Sequence, residues 1–525
     1  MSTTTQVIKN TGFLYIKMAV TVFISLYTTR LILSSLGASD FGIFNIIGGA
    51  IVMLGFLNAT MANATQRFMS YAEGEGNLIK KRQIFNVSIV LHIGVAVFTC
   101  ILLLIVMRLL FNGVFNIPVQ RIFAAKVIYL SAVASTVLTI INVPYDSVVN
   151  AHENMLYYSL IGIFECLLRL AIAFVCVYTN SDKLIVYGVL TAMIPLITLT
   201  IMKIYCHRKY DECVFSIRKY WDSNLLKRIT SFFSWNFLTA ISSLVSYYGS
   251  GLVLNHFFGT ILSAAQGIAN QVNGQLSNFS LNLMKAVNPV IVKRAGSHDM
   301  EAMNRVTLAS GKFSTLLIVL FAVPFILEMH YVLRIWLKDV PEWTAMFCCM
   351  QLIVTVICQL TNSAATAIYA EGNIKRYAIY KSIMNVLPVC FTYLAYTLGG
   401  APYWLYLFMI VIWSIGGDMV IIYYSNKQCG LKISDFLMQV ICPVLCISVC
   451  MFIGGFAIKS LFEESFLRLI FVCSMTSIVF GIGVWKYALK KEERISVLQL
   501  ISGRLKRNKA VSYTHLRAHE TKANL

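Results

Sequence analysis

Fourteen predominantly apolar stretches of more than 20 residues each follow one another between residues 12 and 489, with short connections between them. A helix needs about 20 such residues to cross the hydrocarbon core of a bilayer. Inside that core every backbone polar group must find its partner within the protein, so spans of this length are helical. The chain is 58% hydrophobic and 13% charged, with a mean hydropathy of +0.73, where soluble domains carry about a quarter of charged residues. It therefore reads as an all-α integral membrane protein of about 14 transmembrane helices, with no sizeable domain on either side.

The 43 Lys and Arg exceed the 23 Asp and Glu, for a net charge of +20. With the N-terminus taken as cytoplasmic, the loops after the second, sixth, eighth, tenth and twelfth spans hold eighteen Lys and Arg. The outer loops hold four, Arg121, Lys183, Lys338 and Lys459. This is the positive-inside pattern, and an even number of spans puts both termini on the cytoplasmic side. The excess charge is thus a topology signal, and nucleic acid is not an expected partner because no soluble basic module interleaved with aromatics exists to hold it. The 14 cysteines sit mostly in apolar runs, without CxxC pairs or histidines at metal spacing, and read as small buried hydrophobes. No cleavage site follows the first apolar run, which is expected to stay as a helix. Residues 511–525 are polar, unrelated to what precedes them, and read as a non-native tail.

A shift of about 220 residues lays the first six spans on the next six. Gly37, in the break between spans 1 and 2, falls on Gly259 at an offset of 222; Ala151 and Asn154 fall on Ala370 and Asn373 at 219. The expected organisation is a first lobe over 1–206, a basic linker over 207–230, a second lobe over 231–425, two added spans over 426–489 and a basic tail over 490–510. Because each lobe has an even number of spans, the repeat is direct and its axis runs along the membrane normal. Two pseudo-repeated six-helix lobes around a central cavity, plus two C-terminal helices, is the fold this predicts.

The eighth span shows which faces are wet. Gln271, Gln275, Asn278, Asn282 and Lys285 are spaced 4, 3, 4 and 3 residues apart, which places them on one stripe of a helix. Amides facing lipid over four turns would leave several kcal/mol of hydrogen bonding unmet, so the stripe is expected to line a hydrated cavity. Span 1 repeats the pattern weakly with Lys17, Thr21, Ser25 and Thr28, and Arg30 follows two residues later. Span 2 carries Asn58, Asn63, Gln66 and Arg67, and offset 222 places Asn63 on Lys285. A mid-membrane charge costs roughly 2.5–3.5 kcal/mol, so Arg30 and Lys285 are expected to face protein or water and to attract an anion. Lys17 and Arg67 can also snorkel to the interface. Glu165 and Arg169, at i and i+4, read as an internal ion pair or as part of an ion-coupling relay. Asp146, Glu328 and Asp418 are the other intramembrane acids.

The chain has no phosphate-binding GxxxxGK[ST] loop, no HExxH and no acid-rich loop for a metal and a sugar nucleotide. An enzyme of glycan assembly would need such groups, so a transporter without a catalytic site or cofactor is expected. The stretch Arg30, Leu36, Gly37, Phe41, Gly42 and Phe44, the YAEGEGN lead-in to the basic loop after span 2 and the fourteen spans together resemble bacterial polysaccharide export proteins, the O-antigen and capsule flippases. The likeness covers residues 1 to about 505. It implies the multidrug and toxin extrusion type fold, the bacterial inner membrane, and a cargo of undecaprenyl-diphosphate-linked oligosaccharide turned between leaflets by alternating access without ATP. Membrane lipids and the polysaccharide polymerase machinery are the further partners it implies, with protons or sodium as the coupling ion. Related peptidoglycan lipid flippases carry cavity arginines on their first, second and eighth helices; Arg30, Arg67 and Lys285 lie on those helices here, with lysine in place of arginine at the last. An ion-coupled multidrug or cation antiporter of the same fold is the alternative, and would favour acids in its cavity.

Overall fold

A computed structural model describes residues 3–52, 55–114, 117–337, 339–489 and 494. Lys338, the rest of the basic tail over 490–510 and the segment 511–525 lie outside the described residues. The described chain is helical throughout, with no strand. Its helices are α1 Thr3–Val52, α2 Gly55–Glu75, α3 Leu78–Leu109, α4 Ile122–Ala151, α5 Met155–Tyr178, α6 Lys183–Lys209 and the short α7 Ile217–Tyr220. The second half holds α8 Ser223–Gly296, α9 Met300–Leu327, α10 Met329–Leu337, α11 Thr344–Glu371, α12 Lys375–Thr397, α13 Trp404–Phe408 and α14 Gly417–Cys429. Then come α15 Ile433–Phe436, α16 Cys442–Leu461 and α17 Phe466–Gly483.

Twelve helices among the described residues are long and apolar enough to cross a membrane, making this a multi-pass membrane protein. One of them, α8, has 74 residues, about 110 Å at 1.5 Å per residue and far more than one crossing. It is two spans joined at Gly259, where φ is 77° and ψ −166°. α1 breaks in the same way at Gly37, with φ 75° and ψ 167°. Only glycine enters this region without strain, and its occurrence at both positions carries the expected repeat into three dimensions.

The other connections repeat as well. At an offset of 222, Gly76 with φ 69° matches His298 with φ 57°, and the helix caps Asn77 and Asp299 match behind them. At 219, Glu153 with φ 55° matches Gly372 with φ 103°. Left-handed turns at equivalent places in both halves are a more specific sign of duplication than apolar helices, which align with one another cheaply. α16 and α17 pack outside this pair of halves, against α9. Glu328, expected as an intramembrane acid, is tied there by Arg468 of α17 at 2.7 Å, both nearly fully buried.

Candidate functional site

The halves meet along one edge. Apolar clusters that draw on both of them lie at the end of the bundle holding the basic loops: Ala64 and Phe68 of α2 with Phe232 and Val287 of α8, Ile84 and Phe85 with Leu225 and Ile229, and Leu14 and Met155 with Ala286. At the end holding the Gly37 and Gly259 breaks, the clusters stay within one half each, around Ile47 and Tyr129 in the first and Leu254 and Phe347 in the second. The space between the halves therefore closes on the basic side and opens towards the glycine breaks.

A symmetric contact makes the closure. A Cβ on Gly74 of α2 would lie 2.0 Å from the Lys293 carbonyl oxygen of α8, and a Cβ on Gly296 would lie 2.1 Å from the Tyr71 carbonyl oxygen. Gly74 and Gly296, like Tyr71 and Lys293, are 222 residues apart, so the helices cross at the repeat axis through reciprocal glycines. Lys293 also reaches Glu153 at 3.1 Å. Arg67 donates from Nε to the Tyr369 carbonyl at 3.0 Å and from Nη2 to those of Ala370 and Glu371 at 2.8 and 3.1 Å. It thus caps α11 from the opposite half, among the rings of Phe68, Tyr71 and Phe232. Arg67 is a clamp between halves and not a snorkelling cation, because the last carbonyls of α11 have no partner within their own helix.

From this junction the amide stripe of α8 runs into the open space. Asn282 lies against Met18 of α1, its amide 3.1 Å from the sulfur, and Tyr15 donates to the Phe279 carbonyl at 2.8 Å. Beyond it Asn278, Gln275 and Gln271 are exposed and, among the described residues, bond to no helix of the other half. They are not glue between helices.

Lys285 points the other way, into the first half. Its Nζ stands 3.7 Å from the centre of the Tyr158 ring, and Lys17 Nζ stands 4.2 Å from the same ring. Lys17 lies across Gly162 of α5, where a Cβ would come within 2.2 Å of its Cε. Asp146, held by Asn142 at 3.1 Å, is within electrostatic reach of Lys285, Lys17 and Glu165. The structure thus gathers Lys17, Asp146, Tyr158, Glu165 and Lys285 from α1, α4, α5 and α8. Glu165 and Arg169 interact electrostatically but do not form the expected close ion pair; Arg169 is exposed. Arg30 is exposed, on the side of α1 opposite the residues that pack on α5, and makes no hydrogen bond or ion pair with a described residue. Asn63 is exposed and shares a cavity of about 210 Å³ with Gln66, Arg67, Asn236, Asn288 and Thr366.

A second polar cavity, of about 470 Å³, lies inside the second half. Gln266, Asn270 and Asn273 of α8 face Gln351, Gln359 and Asn362 of α11 across it, with Lys381, Asp418, Tyr377 and Trp413 completing the wall. Thr361 donates to Asp418 at 2.6 Å, and Lys381 passes over Gly417, where a Cβ would lie 2.2 Å from its Nζ. The sequence reading missed this cavity. Its signal was present: α8 carries amides on both faces, and Gln351, Thr355, Gln359 and Asn362 form a stripe on α11.

Glu73, His152 and Glu212 offer ligand atoms within 4.8 Å of one another near the basic loops. Those atoms are already engaged: Lys81 meets Glu73 at 2.7 Å, and His152 meets Glu212 at 2.5 Å and Glu73 at 3.4 Å.

No protein-family model and no curated protein matches the chain. Solved structures match its fold. An outward-facing multidrug resistance MATE family transporter of the MOP superfamily superposes with a TM-score of 0.67 over 81% of this chain and 96% of its own, at 14% identity. A MATE protein in the bent conformation gives 0.70 over 82% and 96%, at 14% identity. A MOP superfamily transporter from Pyrococcus furiosus, described as having a binding pocket of reverse polarity that suggests a different function, gives 0.65 over 81% and 96%, at 16% identity. The fold is that of the MATE transporters.

Proposed function

We propose that the protein is a flippase that carries an undecaprenyl-diphosphate-linked oligosaccharide from the inner to the outer leaflet of a bacterial cytoplasmic membrane, with both termini cytoplasmic. The observation that carries this reading is the stripe of Gln271, Gln275 and Asn278, exposed in the space between the halves and leading down to Lys285. Amide groups spaced along about two turns suit a row of sugar hydroxyls, since each can donate and accept. Lys285 is the cation that would meet the diphosphate, as a point charge and not a bidentate fork; Arg30 lies thirteen residues along α1 from Lys17, which shares the Tyr158 ring with Lys285, about 20 Å away, and would act at a separate point on the path. Asn282 and Asn63 extend the polar wall towards the closed end, and Arg67 controls that closure. The halves then rock around the load, with the basic side open in the other state.

Asp146 and Glu165 lie beside Lys285 and Lys17, so ionisation of these acids would change the charge offered to the cargo; we assign them, with Arg169, to coupling by protons or sodium. The same acids support the second reading, an ion-coupled multidrug antiporter. The pocket of reverse polarity in the Pyrococcus furiosus transporter supports treating pocket charge as the deciding property. Glycan export by a gene-deletion strain carrying Lys285→Gln, Arg30→Gln or Gln271→Leu/Gln275→Leu/Asn278→Leu tests the assignment. Loss of export at normal protein level is expected for the stripe variant and for at least one cation variant. Full export by all three, with drug sensitivity changed by Asp146→Asn, would transfer the reading to the antiporter.

A further inference from the structure

A cavity of about 610 Å³ opens at the basic end of the bundle, between the end of α2, the first turns of α8 and the turn joining α11 to α12. It belongs to neither the amide stripe nor the second-half cavity. Five cationic residues line it, Arg67, Lys80, Lys227, Arg228 and Lys375, against the two acids Glu75 and Glu371. Lys80 is neutralised by Glu75 at 2.7 Å, and the guanidinium of Arg67 is committed to the carbonyls of α11. Glu371 accepts from the Asn373 backbone N–H at 3.0 Å. Lys227, Arg228 and Lys375 form no ion pair with any described residue. Three uncompensated cations on one cavity repel one another until an anion arrives.

The remaining wall says what kind of anion. Phe68, Phe232 and Trp235 supply an apolar side, with Lys375 Nζ 5.5 Å from the Trp235 ring. Lys227 and Arg228 sit one to two turns from the Asp222 cap that starts α8, and Lys375 opens α12, at the level where a span leaves the bilayer and where tryptophan and tyrosine gather. Basic pockets between helices at this depth suit phosphorylated lipid headgroups.

We propose that this cavity binds the phosphate of an anionic phospholipid headgroup, with the lipid chains leaving past Trp235, and that the bound lipid holds the two halves together on the basic side. Tyr71 and Lys80 come from the first half, Lys227 and Lys375 from the second, so the complete cavity exists only while the halves touch. A ligand that binds one conformer stabilises it by mass action. The inference is independent of what the protein transports.

The test uses purified full-length protein, with its exposed thiols Cys390, Cys442, Cys446 and Cys450 replaced by serine, in nanodiscs of phosphatidylcholine with increasing phosphatidylglycerol, with spin labels at Ile79→Cys and Arg305→Cys reporting the distance across the basic side. Phosphatidylglycerol should raise the fraction with the short distance. The triple variant Lys227→Gln/Arg228→Gln/Lys375→Gln should need about 100-fold more of the anionic lipid for the same effect, each exposed cation contributing about fivefold. The single variants, at exposed positions that need not disturb folding, should each show that fivefold step. A control triple at Lys203, Arg208 and Lys209, equal in charge and on the same side, should behave as the parent. Equal loss in the control would reduce the effect to membrane surface charge and overturn the proposal. Closure by inorganic phosphate or pyrophosphate alone, in phosphatidylcholine, would overturn the lipid as the source of the phosphate.

Discussion

The reciprocal glycine contact sets a barrier that one methyl group should breach. At Gly74 a Cβ would sit 2.0 Å from a backbone carbonyl oxygen, and ordinary contact begins at 3.4 Å; the helices must part by about 1.4 Å to admit it. No side chain can rotate away, since the obstacle on each side is main chain. Overpacking of this kind costs about 1–3 kcal/mol. The cost falls only on the state in which α2 and α8 touch, so the equilibrium moves towards the basic-side-open state by about 5- to 160-fold for Gly74→Ala, and similarly for Gly296→Ala, at 1.36 kcal/mol per tenfold. Gly76→Ala, two residues away with nothing within 4 Å of its Cβ, strains its left-handed turn but leaves the contact free, and serves as the control. The assay is the Ile79–Arg305 label distance, read with maleimide labelling of a cysteine at Asn63. Unchanged distance and labelling in both glycine variants would refute the claim that this crossing holds the basic side shut.

Arg67→Met keeps the volume and removes three hydrogen bonds whose partners become hydrated when the halves separate, at a net cost of about 1 kcal/mol each; basic-side opening should rise about 100-fold, and Arg67→Lys should recover only part of it. Arg468→Met leaves Glu328 buried without its partner and should destabilise the packing of α17 by about 3–5 kcal/mol, read as a lowered unfolding temperature in detergent that the double variant with Glu328→Leu largely restores. In the loop after α6, burial would push the Glu212 carboxyl up, but the hydrogen bond from His152 and the charges of His152 and Lys81 outweigh it and hold the group below its ordinary 4.5. A carboxyl depressed in the folded state contributes stability above its unfolded value and loses it as pH falls through the folded one. Glu212→Gln should therefore lower the unfolding temperature at pH 7, and the gap to the parent should close as the pH falls below the ordinary 4.5.

The architecture was legible because two simple constraints write it into the chain: lipid demands apolar runs of fixed length, and the glycine breaks at 37 and 259 recur at one offset. The exposed face of α8 was legible for the same reason, since Gln271, Gln275 and Asn278 keep helical spacing. What stayed hidden depends on which helix lies opposite. Arg67 could not be recognised as the cap of α11, 302 residues away, and Lys285 could not be paired with Tyr158 and Asp146. The second-half cavity needed the stripe of α11 to be set against the rear amides of α8. Arg169 shows the converse, since i, i+4 spacing placed it one turn from Glu165 without bringing the charges into contact.

The most direct test of the account is the leaflet position of the lipid-linked oligosaccharide in a host lacking the gene, read by lectin or periodate labelling of intact cells against inverted vesicles. The account predicts accumulation on the cytoplasmic leaflet, reversed by the intact gene and not by the Gln271→Leu/Gln275→Leu/Asn278→Leu variant. Outer-leaflet glycan at the parental level in the deletion strain would contradict it.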